Sequence, residues 1–143
     1  MEIVVVGVDG SETAAKAAGR AAALAAGLGG SLVVVNAFEA SGGQPHDYPS
    51  DLPPFSVHDS AEAIARQAVD VLRRDFPDLE MSAQAELGKP AEVLVGLAEK
   101  LSASVIVVGN KRVQGIARVL GSIARDVAQH APCDVFVVHT VAR

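Results

Sequence analysis

The chain has 143 residues, half of them hydrophobic, a net charge of −5 and one cysteine. That length fits one compact domain over residues 1–143 and leaves little room for two. The acidic balance speaks against a nonspecific nucleic-acid binder, which needs a basic stripe to neutralise phosphates, and the single Cys133 excludes an intrachain disulfide.

Cys133 reads as a small buried apolar residue in a reducing compartment. The opening Met1-Glu2-Ile3-Val4-Val5-Val6 has neither the basic region nor the long apolar run of a secretory signal. No uncharged apolar stretch approaches the roughly 20 residues that a membrane span needs. The expected location is cytoplasmic, with no membrane and no nucleic acid among the partners.

Ile3 to Val8 is a β-branched run long enough for a buried strand. The Ala-rich stretch Ser11 to Leu28 predicts a helix, with Ser11 as its cap, Glu12 at its positive end and Gly27, Gly29 and Gly30 ending it. Leu32 to Phe38 is a second apolar strand. Glu39 to Phe55 is rich in Ser, Gly, Pro, Asp and His and reads as the longest loop. Ser56 to Phe76 predicts an amphipathic helix with Ile64, Ala68, Val69 and Leu72 on one face. Met81 to Leu87 alternates with period two, as a half-exposed strand near a sheet edge does. Pro90 is placed to open the helix Ala91 to Leu101, with Val93, Leu94, Leu97 and Ala98 inward. Ser104 to Val108 is a buried strand ending in Gly109. A loop follows, then a helix to His130 with Val119, Ile123 and Val127 in register, and Asp134 to Val141 is the last strand.

This β-α-β-α-β-α-β-α-β order predicts a parallel sheet with right-handed crossovers. Such sheets bind ligands beyond the carboxyl ends of their strands, where the strand order reverses. The residues of interest are therefore Asp9 to Ser11, Ala37 with the loop after it, Gly88-Lys89, and Gly109 onward. Asp9 could accept hydrogen bonds from a ribose or amino group, hold a metal, or only make the turn, since Asp-Gly-Ser is an ordinary turn triplet. From Gly109 to Ser122, the glycines Gly109, Gly115 and Gly121 bare backbone N–H groups near a helix start, and Ser122 adds a hydroxyl. Lys111, Arg112 and Arg118 add positive charge. Together these suit an anion such as phosphate. The bland alternative is a tight loop with solvated basic residues.

Other motifs fail. Gly88-Lys89-Pro90 lacks the Ser or Thr and the earlier Gly of a Walker A loop. Gly27-Leu28-Gly29-Gly30 lies between a helix and a strand, the wrong context for a dinucleotide fingerprint. His46, His58, His130 and His139 have no metal-ligand spacing. No nucleophile stands beside a recognisable base, so no catalytic residue is assigned.

Three segments resemble the universal stress protein family. They are Ile3-Val4-Val5-Val6-Gly7-Val8-Asp9-Gly10-Ser11, Val105-Ile106-Val107-Val108-Gly109, and the long ungapped stretch from Gly121-Ser122-Ile123 through His130-Ala131-Pro132-Cys133 to Val138. The resemblance covers essentially the whole chain. It implies an open five-stranded parallel sheet in the order 3-2-1-4-5 with helices on both faces, like the adenine nucleotide α-hydrolases. It implies a regulatory protein of the stress response that binds ATP, AMP, cyclic AMP or another adenine nucleotide, with or without magnesium, and is at most a slow ATPase. The site residues it points to are Val8, Asp9, Ala37, Gly109, Lys111, Arg112, Gly115, Gly121, Ser122 and Ile123. It also implies a homodimer through Val135 to Thr140, and some members of the family bind no nucleotide and act as dimeric interaction modules.

The ATP-binding members resemble G-x-x-G, nine residues, then G-[ST]. Here Arg112 stands at the second glycine, the stretch to Gly121 is one residue shorter, and Ala124 replaces a small hydroxyl residue. Two outcomes stay open: Arg112 obstructs the close approach of phosphate, or Gly115 takes over the tight turn and Arg112 pairs with the phosphate.

Overall fold

The structure is a computed structural model that describes residues 1–39, 57–110 and 120–140. Within them the elements run β1 (Ile3–Gly7), α1 (Glu12–Leu28), β2 (Ser31–Phe38), α2 (Val57–Leu72), β3 (Glu80–Leu87), α3 (Pro90–Leu101), β4 (Val105–Asn110), α4 (Ser122–His130) and β5 (Asp134–His139). The strands form one parallel sheet in the order β3-β2-β1-β4-β5. This is the expected open five-stranded sheet, with helices on both faces.

The central strand shows why the chain folds this way. Val4, Val5 and Val6 are all fully buried. Val4 and Val6 join one core with α1 and α2, and Val5 joins the other with α3 and α4. A strand covered on both faces has no polar side to show, so it reads as an unbroken apolar run. Each buried Val is worth about 1.5–3 kcal/mol. α1 meets the sheet through Ala17, Ala18, Ala21, Ala22 and Ala25, a stripe at helical spacing whose short side chains bring the helix backbone close to the strands. Its start is capped by Ser11, whose Oγ accepts the Ala14 N–H at 3.1 Å. Its end is closed by Gly29 at φ 70, where a left-handed turn favours glycine.

The structure differs from the sequence reading in several places. α2 stops at Leu72 rather than Phe76, because Asp75 and Phe76 both donate to the Leu72 carbonyl and turn the chain toward β3. β4 runs to Asn110 rather than Val108, since β5 continues to pair there, Gly109 with Val138 and Asn110 with His139. The inward face of α4 is Ala124 and Val127, whereas Ile123 is 40% exposed. β5 ends at His139. Val119, Val141 and nearly all of the loop Glu39 to Phe55 lie outside the described residues. No helix among the described residues is long and apolar enough to cross a membrane.

Candidate functional site at the strand-order reversal

β1 and β4 pair only as far as Val6 with Val107. Beyond that point Gly7 pairs with Val35 of β2, and the Val8 N–H donates to the Val35 carbonyl at 2.9 Å. β4 meanwhile continues against β5. The two chains are drawn to opposite sides, and a crevice opens between their carboxyl ends, where ligands sit in open α/β sheets. Its volume is about 350 Å³, within the range of small-molecule sites. Val8, Asp9, Ala37, Gly109, Gly121, Ser122 and Ile123 all line it. The three other residues singled out from the sequence, Lys111, Arg112 and Gly115, lie outside the described residues, as does Arg118.

One wall is the turn after β1. Asp9 is exposed, and its Oδ1 accepts the Ser11 N–H at 2.9 Å. Gly10 follows at φ 86, a left-handed conformation that a side chain would strain. The Asp9 carboxylate is thereby fixed at the mouth of the crevice. A carboxylate has about four acceptor positions, so this turn bond and a ligand hydroxyl do not exclude each other.

The opposite wall is the start of α4. Gly121 is its N-cap, at φ −64 and ψ 165, an extended conformation open to any residue, and no side chain among the described residues caps the helix there. The N–H groups of Ser122, Ile123 and Ala124 have no carbonyl within the helix to meet. All three residues line the crevice, so the positive end of the helix faces it. The absence of a side chain at Gly121 matters more than its flexibility, because Ser, Thr, Asp or Asn there would accept those same N–H groups. Gly109 serves packing as well. A Cβ on it would stand 3.1 Å from Thr140 Cγ2 and 3.4 Å from Ala17 Cβ.

The profile of the Universal stress protein family matches residues 1–139. The chain belongs to this family. A universal stress protein of Mycobacterium tuberculosis is 30% identical over 145 residues, covering 96% of this chain and 95% of the relative. A putative universal stress protein of Staphylococcus aureus is 27% identical, covering 96% and 83%. Among solved structures, a universal stress protein in complex with cAMP shares 32% identity at a TM-score of 0.72, covering 97% of each chain. The universal stress protein from Archaeoglobus fulgidus in complex with dAMP shares 26% identity at a TM-score of 0.69, covering 96% of each chain.

Two residues of this universal stress protein escaped the sequence reading. Asn36 is 6% exposed, lines the crevice, and donates from Nδ2 to the Ala61 carbonyl at 3.2 Å, tying the end of β2 to α2. Asn110 accepts the Gly121 N–H on Oδ1 at 3.0 Å. Each is a lone amide at the carboxyl end of an apolar strand, Asn36 buried and Asn110 half-buried, and that was the available signal, since an amide taken out of water must find partners. Replacing Asn36 with Ala is expected to cost about 1–2 kcal/mol, read as a lower urea midpoint at an unchanged slope.

Elsewhere the chemistry is muted. Cys133 is half-buried, and burial, reinforced by the neighbouring Asp134 charge, pushes its thiol above the ordinary value against a backbone hydrogen bond at Ile106. A thiol held neutral is a poor nucleophile, in line with a structural role. His58, Asp59 and Glu62 bring ligand-type atoms within 4.8 Å of one another on the first turns of α2. The residues are exposed or half-exposed, and Glu62 already accepts from Arg66 at 2.9 Å.

Proposed function

We propose that this universal stress protein is a regulatory protein that takes an adenine nucleotide into the crevice between β1 and β4, with binding rather than turnover as its activity. The observation that carries the reading is the first turn of α4, uncapped by any side chain among the described residues, opening onto a ligand-sized crevice at the strand-order reversal. Backbone donors at a helix start are suited to a phosphate. The cAMP and dAMP complexes of two relatives support the choice of adenine nucleotide. In this reading Asp9 accepts ribose hydroxyls. The main chain at Ala37 and Val8 borders the adenine. The N–H groups of Ser122 and Ile123, the Ser122 hydroxyl and the backbone at Gly109 and Gly121 face the phosphate. If the ligand is ATP with magnesium, Asp9 is the carboxylate that the described residues of the crevice lining offer, suited to a cation that prefers oxygen ligands.

Calorimetric titration with ATP, AMP and cyclic AMP, each with and without magnesium, tests this. Saturable heat with at least one of them is expected, and no heat with any of them would overturn it.

A second reading rests on β5. It forms one edge of the sheet, and Phe136 on it is 36% exposed. An apolar edge strand offers unpaired backbone to another chain, so a homodimer through β5 is part of the proposal. In the alternative, the same dimer acts as an interaction module without nucleotide. Light scattering at micromolar concentration is expected to give a dimer, and a monomer would count against this surface.

A further inference from the structure

We propose that Asn110 is the positioning residue that makes the crevice prefer phosphorylated over unphosphorylated ligands; the inference rests on the nucleotide reading above.

A helix start must both be anchored and have its donors satisfied. A capping side chain usually does both, by accepting the N–H of the second or third helical residue. In a capping box the third residue reaches back to the N–H of the cap. Neither device is available to α4. Its cap is Gly121, with no side chain, and its third residue is Ala124, which has no acceptor.

Asn110 supplies the missing acceptor from another element. Its Oδ1 takes the Gly121 N–H at 3.0 Å across eleven residues of sequence. Asn110 is itself held in place at the end of β4. It is in register with His139 of β5, and Thr140, only 5% exposed, donates from Oγ1 to its carbonyl at 2.8 Å. The start of α4 is thus pinned to the sheet through the cap residue's own N–H. The donors of Ser122, Ile123 and Ala124 are not consumed in the pinning, so anchoring and anion binding no longer compete for the same groups. Fixed donors favour a phosphate because no reorganisation is needed when it arrives. A nucleoside without phosphate does not reach this end of the crevice and gains nothing from Asn110.

The test is to titrate wild type, Asn110→Ala and Asn110→Asp with AMP and with adenosine, and to measure exchange protection of the Gly121 amide without ligand. Wild type is expected to prefer AMP. Asn110→Ala should lose roughly five- to tenfold of that preference, keep its adenosine affinity within about twofold, and lose Gly121 protection. Asn110→Asp keeps the acceptor and should keep the protection. A variant that merely loosened the fold would weaken both ligands in parallel. If wild type prefers AMP and Asn110→Ala keeps the same ratio, this inference fails alone. If wild type binds neither ligand, the functional reading fails and takes the inference with it.

Discussion

Replacing Gly121 with Asp is expected to abolish phosphate recognition while leaving α4 as stable as before or slightly more so. The backbone at Gly121 is extended, at φ −64, and among the described residues a Cβ there would meet only Asn110 Oδ1, at an ordinary 3.5 Å. The variant therefore folds. Asp is a better cap than Gly by a few tenths of a kcal/mol, because its carboxylate accepts the N–H groups that the wild-type crevice keeps for a ligand. It also places a negative charge where the phosphate would sit. Losing two charge-assisted hydrogen bonds, at about 1.5–3 kcal/mol each, lowers AMP affinity by about 100-fold or more. Gly121→Ala is the control. It adds the same Cβ without an acceptor, so it should weaken the cap and retain most of the affinity. A well-folded Gly121→Asp protein that binds AMP like wild type would show that the start of α4 is not the phosphate site.

The largest effect on stability is expected at Gly30. The Ser31 N–H donates to the Glu2 carbonyl at 2.9 Å, and a Cβ on Gly30 would lie 2.1 Å from that same oxygen. The obstacle is backbone at the start of β1, which cannot swing aside as a flexible side chain could. Gly30→Ala must push β1 and β2 apart at their first pairing, and it is expected to cost about 3 kcal/mol or more, at or above the upper end of overpacking effects. The adjacent Gly29 makes the comparison sharp. It has φ 70 and, among the described residues, nothing within 4 Å of an added Cβ, so Gly29→Ala pays only the left-handed penalty of about 1–2 kcal/mol. Chemical denaturation of the two variants should rank Gly30→Ala well below Gly29→Ala. The reverse order would mean that β1 and β2 do not approach as described.

These residues also show what was legible in the sequence. The strands could be read because both faces of a parallel sheet are covered, so β1 and β4 had to be unbroken runs of Val and Ile. β3 showed period two because it lies at the sheet edge. The caps of α1 could be read because Ser11 and Gly29 act on their immediate neighbours. The crevice was located by topology, from the residues that follow the strands. What escaped depends on residues far apart in the chain. Gly30 looked like a helix terminator, and its real constraint comes from Glu2. Asn110 fell just beyond a strand that ended too early in the sequence reading, and its use depends on Gly121. Ile123, a candidate site residue, does line the crevice, but its inward register with Val127 is not kept, since it is 40% exposed. Phe76 continued the apolar pattern of α2 while packing on the core from the turn beyond it.

The central claim is that an adenine nucleotide lies between the β1 turn and the start of α4. Amide chemical shifts of the ¹⁵N-labelled protein, followed as AMP is added, test it most directly. The account expects Ser122, Ile123 and Ala124 to move together with Val8, Asp9 and Ala37, saturating along one binding curve, while β3 stays still. Amides of Ser122 to Ala124 that remain in place at millimolar AMP, or shifts confined to another part of the sheet, would contradict it.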